Sequence, residues 1–197
     1  MNIHSTMVAP HDSEKAEAIL AAALELFVER GFHGTSVPSV AERAGVAAGT
    51  IYHYFASKEA LVNALYSRWK GVIGRHIVDS FPATAPLREQ FRAVWMGMAE
   101  FAIDHPKELA FLEFHHHASY LDDEARAAEN RVFEFGVGVV QLAQTAQSLK
   151  PAPAALLLEF ANGAFLGVFR AALAGRLPLT RETFALAEPC AWEAVRA

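Results

Sequence analysis

Apolar side chains recur at three- and four-residue intervals through most of this chain, and no stretch alternates in the manner of a strand. That pattern predicts helices throughout and an all-α fold of about nine helices. Residues 1–11 lack it and read as a flexible tail, where His4 and His11 are expected to be solvated. A first helix is predicted from about Ser13 to Arg30, capped by Asp12 or Ser13 and ended at Gly31, with Leu20, Leu24 and Phe27 facing inward. A second follows the N-cap Ser36, tolerates Pro38 in its first turn, buries Val37, Val40, Ala41 and Ala44, and stops at Gly45. A third runs from about Ala47 to Phe55, and a fourth, capped by Ser57, from about Lys58 to Val78 with Leu61, Leu65 and Trp69 on one face.

The second half continues in the same period. Prolines punctuate a loop over Phe81–Pro86, and helices are expected at about Leu87–Asp104, Lys107–Tyr120, Asp123–Leu149 and Ala154–Ala174. The last helix starts at Thr180 and is expected to be disturbed at Pro189. The inward faces are Phe91, Val94, Trp95, Met98 and Phe101 on the fifth helix, and Val132, Phe135, Val139 and Leu142 on the seventh. The longest apolar stretch, about Ala154 to Ala174, holds Glu159, Asn162 and Arg170, so it is read as a buried helix rather than a membrane span.

Helix, glycine turn, helix over Thr35–Phe55 is the unit that sets a recognition helix into a DNA major groove. At 100° per residue, Ile51 and Phe55 turn to the core, whereas Gly49, Thr50, Tyr52 and His53 point outward, a face suited to phosphates and base edges. Lys58 stands at the start of the next helix, where its cation and free backbone N–H groups suit a phosphate.

The stretches LELFVERGFHGTSV and VAERAGVAAGTIYHYFASKEALVNAL, within about Ser13 to Leu65, resemble the N-terminal domain of the TetR/AcrR family of transcriptional repressors. The resemblance implies a helix-turn-helix DNA-binding domain over 12–57 and a helical ligand-binding and dimerisation domain over 58–197. It implies phosphate contacts from Thr50, Tyr52 and Lys58 and base-edge positions for Ala48, Gly49 and His53, with Ser36 and Tyr54 completing the DNA-facing set. Ala47 stands where the family usually has a polar N-cap, and Pro38 stands where a polar or basic side chain is common. Both leave the fold intact and bear on the operator that is read.

Charge changes the picture of how DNA would be held. The net charge is −5, and up to Ala60 Lys15, Arg30, Arg43 and Lys58 are outnumbered by Asp12, Glu14, Glu17, Glu25, Glu29, Glu42 and Glu59. Affinity must then come from a local face, backbone N–H groups and the doubling of a dimer. Arg68, Lys70 and Arg75 read as a solvated face. The start MNIHSTMVAPHDSE has no apolar run and does not read as a signal peptide, and a single cysteine, Cys190, suits a reducing cytoplasm and is expected to be a small buried filler.

Two further sites are expected. Gly163, Gly167, Ala171 and Gly175 recur every four residues; spacing alone fits close packing within the chain or against a second copy, and the resemblance favours a homodimer. Trp95, Met98, Phe101, Phe111, Phe114, Phe133, Phe165 and Phe169 fall on helices that enclose the C-terminal core. So much aromatic surface suits a pocket for a small apolar or aromatic effector, with Asn162 and His115, His116 and His117 as polar anchors. No metal is expected: consecutive helical histidines diverge by 100°, and only Glu113, His117 and His105 would share an ion. No cofactor is implied, and no nucleophile motif, phosphate loop or zinc signature points to an enzyme. The expected function is a ligand-responsive transcriptional repressor that binds a palindromic double-stranded operator as a dimer, cytoplasmic and off the membrane. The competing reading is a helical adaptor or ligand-binding protein without specific DNA reading.

Overall fold

The computed structural model describes residues 10–114 and 119–197, and among them it is all helical. The elements are α1 (Pro10–Gly34), α2 (Val37–Ala44), α3 (Ala48–Tyr54), α4 (Lys58–Ser80), α5 (Leu87–Asp104), α6 (Pro106–Phe114), α7 (Asp123–Thr145), α8 (Ala154–Leu173) and α9 (Arg181–Val195). The only extended pairing among the described residues is an isolated antiparallel bridge between Leu149 and Arg196.

Local chemistry explains the breaks. Gly31 takes φ 70°, so the regular part of α1 ends there and a short further turn reaches Gly34. Thr35 is almost fully buried, and its hydroxyl donates to the carbonyls of Leu26 at 3.0 Å and Gly31 at 2.9 Å, closing the end of α1. Ser36 then opens α2 with a reciprocal box: its Oγ accepts from the Ser39 N–H, and the Ser39 hydroxyl accepts from the Ser36 N–H. Gly45 leaves α2 in the left-handed conformation at φ 68°. Ala47 offers α3 no side-chain cap, as its methyl dictates.

α1, α2 and α3 close over Ile19, Ala23, Leu26, Phe27, Val40 and Ile51, and Leu61 and Leu65 of α4 complete that core. The inward stripe of α1 centres on Ile19, Ala23 and Phe27, so the expected Leu20 sits at its edge, half-buried. α4 continues into the C-terminal unit, where it packs against α5 and α7. There the largest fully buried side chains are Phe111, Phe165, Phe169 and Phe184, with Trp95 nearly so.

Several expectations are corrected. α7 ends at Thr145 rather than Leu149, and its Leu142, expected inside, is 74% exposed because Ala143 is the residue that turns to the core. Pro189 does not interrupt α9; it lies on the exposed side, so its ring meets solvent rather than a packed neighbour. Cys190, expected as a buried filler, is exposed on the same helix. Gly175 belongs to no helical face, because α8 stops at Leu173 and Gly175 takes φ 70° in the turn beyond it.

One buried charge ties the last helix in place. Glu188 of α9 is 2% exposed, and both its carboxylate oxygens accept from the Arg88 guanidinium of α5, the second at 2.7 Å. The fork geometry matches guanidinium to carboxylate, and the Arg88 head also lies 5.3 Å from the Trp192 ring centre. Hydrogen bonding to Glu188 raises the Arg88 pKa further above its ordinary range. Removing the cation strands a buried carboxylate. Arg88→Ala is therefore expected to lower stability by about 2–3 kcal/mol in urea titrations, discounted for the partly exposed guanidinium, while Arg88→Met with Glu188→Leu recovers most of it.

Candidate nucleic-acid interface and effector cavity

The DNA-facing set is largely carried by α3. Tyr52 is 57% exposed, and Ala48, Gly49 and His53 are exposed beside it, whereas Ile51 is fully buried beneath. A Cβ at Gly49 would meet nothing within 4 Å, so the surface there is open to a close approach. Thr50 is half-buried, and Tyr54 turns partly inward to pack against the core, its ring edge-on to His53 at 5.1 Å. Ser36 is exposed at the start of α2, its hydroxyl engaged in the capping box.

Lys58 has a structural task that the sequence reading missed. Its ammonium donates to the carbonyls of Phe32 and Thr35, both at 2.9 Å, and sits 4.0 Å from the Phe32 ring centre. It thus clasps the ends of α1 and α2 to the start of α4. Phe32 in turn stacks on Tyr120 at 3.9 Å, and the Tyr120 hydroxyl meets His33 Nε2 at 2.8 Å. Asn63 completes the junction, donating to the Tyr120 carbonyl and accepting from the Asp122 N–H, both at 2.9 Å.

Two cations near the reader are held in ion pairs. Arg43 pairs with Glu25 at 3.1 Å and Glu29 at 3.2 Å, and Lys107 of α6 reaches Glu25 at 3.2 Å. Hydrogen bonding by Lys107, then by Arg43, holds the Glu25 carboxyl below its ordinary pKa. These exposed pairs add little to stability, yet they leave the outward face to neutral donors such as Thr50 and Tyr52.

The second feature is a cavity of about 380 Å³ enclosed chiefly by α4, α5, α7 and α8 and closed at one end by α9. Trp95, Met98, Asn162 and Phe165, expected at a ligand, all line it. Phe101 and Phe114 do not. Phe101 is 3% exposed among Trp69, His76 and His105, and Phe114 stacks on Phe169 at 5.8 Å beneath the Arg170 guanidinium. Phe111 and Phe169 are core, whereas Phe133 does reach the cavity. His115, His116 and His117 lie outside the described residues. Asn162, mid-helix in an apolar run, has no hydrogen-bond partner for its side-chain amide among the described residues, although it faces the cavity.

The charged end of the cavity was not foreseen. Lys70, which the sequence predicts as a solvated cation, is turned inward and pairs with Glu113 at 2.9 Å. Beside it the Tyr66 hydroxyl donates to Glu129 Oε1 at 2.9 Å; burial, then the Glu129 charge, push the Tyr66 phenol well above its ordinary pKa. Lys70, Ile73 and Ile77 follow at helical spacing, a signal that was available. Glu113 is committed to Lys70, and His105 packs against Trp69 and Phe101.

Family comparisons agree with this arrangement. The model for bacterial regulatory proteins of the tetR family matches residues 19–65, and that for the tetracyclin repressor-like C-terminal domain matches residues 72–197. The chain belongs to the TetR family. It is 34% identical over 134 residues, 65% of its length, to the HTH-type transcriptional repressor KstR2 of Mycobacterium tuberculosis, and spans 60% of that repressor's length. It is 51% identical over 53 residues to the HTH-type transcriptional regulator RutR of Escherichia coli, covering 27% of this chain and 25% of that one. A TetR family transcription regulator from Marinobacter aquaeolei VT8 superposes with TM-score 0.81 at 28% identity, over 94% of this chain and 97% of that one. This TetR-family chain thus has the family's N-terminal helix-turn-helix and C-terminal helical domain.

Lys58 ties the junction of α1 and α2 to the start of α4. Lys58→Met is expected to cost about 1–3 kcal/mol in thermal or urea unfolding, because two carbonyls lose a charged donor. Were Lys58 only a phosphate contact, DNA affinity would fall with no change in unfolding.

Proposed function

We propose that two copies of this chain pair through α8 and α9, bind a palindromic operator as a repressor, and release it when a small, mainly apolar effector enters the cavity. The pairing reading rests on one observation. α8 has a mean hydropathy of 1.5, yet only 22% of that stretch is buried within its own chain. Leu156 (56% exposed), Phe160 (57% exposed), Gly163 and Gly167 follow at three- and four-residue spacing down its open side. Nothing lies within 4 Å of a Cβ built on Gly163 or Gly167, so another helix has room to approach. On α9, Leu186 is 73% exposed and extends the same apolar character. A contiguous apolar face of this kind calls for a partner. Of the expected small-residue stripe, Gly163, Gly167 and Ala171 lie on the helix and Gly175 lies in the turn after it.

A dimer also supports the DNA chemistry. One acidic unit with a seven-residue recognition helix offers few contacts, and two-fold pairing doubles them on half-sites about 34–36 Å apart or a multiple of it. The cavity supports the effector reading: α4 contributes Lys70, Ile73 and Ile77 to its wall, and its other end is clasped to the reader by Lys58. An occupant that favours a displaced α4 shifts the population away from the state whose two α3 helices match the groove.

The test is fluorescence anisotropy on DNA flanking the chain's own gene, across a salt series, with sedimentation for assembly state. Saturable binding that survives competitor DNA is expected, and Tyr52→Ala is expected to weaken it about tenfold or more without altering the unfolding curve. Leu186→Glu with Gly163→Leu is expected to yield monomers that bind operator poorly. Monomeric wild-type protein with full operator affinity would overturn the pairing.

A further inference from the structure

The charges on the cavity wall carry a statement about what enters it, and this rests on the reading of the cavity as the effector site. Four ionisable side chains line the cavity among the described residues: Lys70 against Glu113, Glu129 and Glu159. Lys70 is already neutralised by Glu113 at 2.9 Å. Glu129 accepts only from the neutral Tyr66 hydroxyl, and both Glu129 and Glu159 are exposed at the mouth of the cavity. The cavity therefore has an electronegative pole built around Glu129, and the amide of Asn162, unpartnered among the described residues, faces the same space. An anion at that pole would meet carboxylates of like charge, whereas a cation would pair with them.

The shape bears on the rest of the molecule. Lining positions run along α7 from Glu129 to Ala143 and along α5 from Leu87 to Met98. At 1.5 Å per residue these spans are roughly 21 Å and roughly 16 Å. A volume of about 380 Å³ drawn out over such a length is narrow, and suits an extended apolar body better than a broad plate. The wall away from the pole is apolar, formed by residues such as Phe135, Val139, Val140 and Leu157.

We propose that the effector is a cationic amphiphile: a protonated amine seated at Glu129 beside the Lys70–Glu113 pair, on an elongated apolar body that runs down the groove between α5 and α7. Aromatic side chains near the cavity, Phe133 and Phe165 among them, suit the flank of such a cation.

Three probes that share one tail isolate the head: n-decylamine, decanol and decanoate, used below their aggregation concentrations. Binding is followed by calorimetry, and release by anisotropy on the DNA that the wild-type dimer binds. Decylamine is expected to bind roughly tenfold or more tightly than decanoate, with decanol between them, and to release DNA at the lowest concentration. Glu129→Gln, which keeps an acceptor for Tyr66, is expected to lose most of the preference for the amine and to leave decanol unchanged. Glu113→Gln frees Lys70, so decanoate is expected to gain. Decanoate binding wild type as tightly as decylamine while still releasing DNA would overturn the cationic head and leave the cavity as an effector site. No binding by any of the three, or binding that never releases DNA, would overturn the proposal together with the effector reading.

Discussion

The Lys58 ammonium, held between two backbone carbonyls and over the Phe32 ring, is the contact on which the DNA-reading geometry depends. Phe32 and Thr35 both follow Gly31 in the bend that leads from α1 into α2, where φ at Gly31 breaks the helix and the buried Thr35 hydroxyl closes it. Carbonyls at such an end need donors, and a cation on the next helix is a strong one. The same bond that satisfies them sets the angle at which α4 leaves the reader. Because Phe32 also stacks on Tyr120, the angle is referred to the loop before α7 as well as to α4 itself.

The other half of the molecule is organised around incomplete filling. α5 presents two kinds of surface: Trp95, Ala99 and Ala102 are buried in the core, while Phe91, Val94 and Met98 border the cavity. Trp95 belongs to both, lining the space while its indole N–H donates to the Phe184 carbonyl at 2.9 Å. A wall made of side chains anchored from behind holds its shape without an occupant, which lowers the cost of ordering when one binds.

Local features were legible in the sequence and long-range ones were not. The bounds of α2, α3 and α5, the glycine stops at Gly31 and Gly45, and the outward set Gly49, Tyr52 and His53 follow from period and cap chemistry within a few residues. Which apolar side chain borders a cavity is a different matter. Phe101 and Met98 sit three residues apart on one apolar face of α5, and only the presence of Trp69 and His105 opposite Phe101 decides that it is core. Glu188 is separated from Arg88 by 100 positions, and nothing in the local pattern of α9 marks a carboxylate for burial. Lys70 was misread because a lysine on a helix is usually solvated, although Ile73 and Ile77 on the same stripe pointed inward with it. Cys190 is expected inside, yet it and Leu186 are both exposed, and hydrophobicity predicts burial in an assembly as readily as burial in the chain.

Those two residues direct attention to how cavity and partner face are joined. α9 turns its inner side to the cavity, where Trp192 and Val195 form part of the wall, and its outer side, with Leu186 and Cys190, to solvent. Three contacts fix it to α5: the Arg88–Glu188 fork, the Trp95 indole on the Phe184 carbonyl, and the exposed Arg181–Glu100 pair at 3.3 Å. An occupant that presses on Trp95 or Trp192 therefore acts on the same helix that would carry half of a dimer face. Packed interiors move between discrete arrangements rather than deforming smoothly. A shift of α9 as a body would then change the angle between two paired copies, and with it the spacing of their α3 helices, even if α4 itself stayed still. On the proposed pairing, occupancy of one cavity would have two physical routes to the DNA, one through α4 and the Lys58 clasp, the other through α9 and the partner.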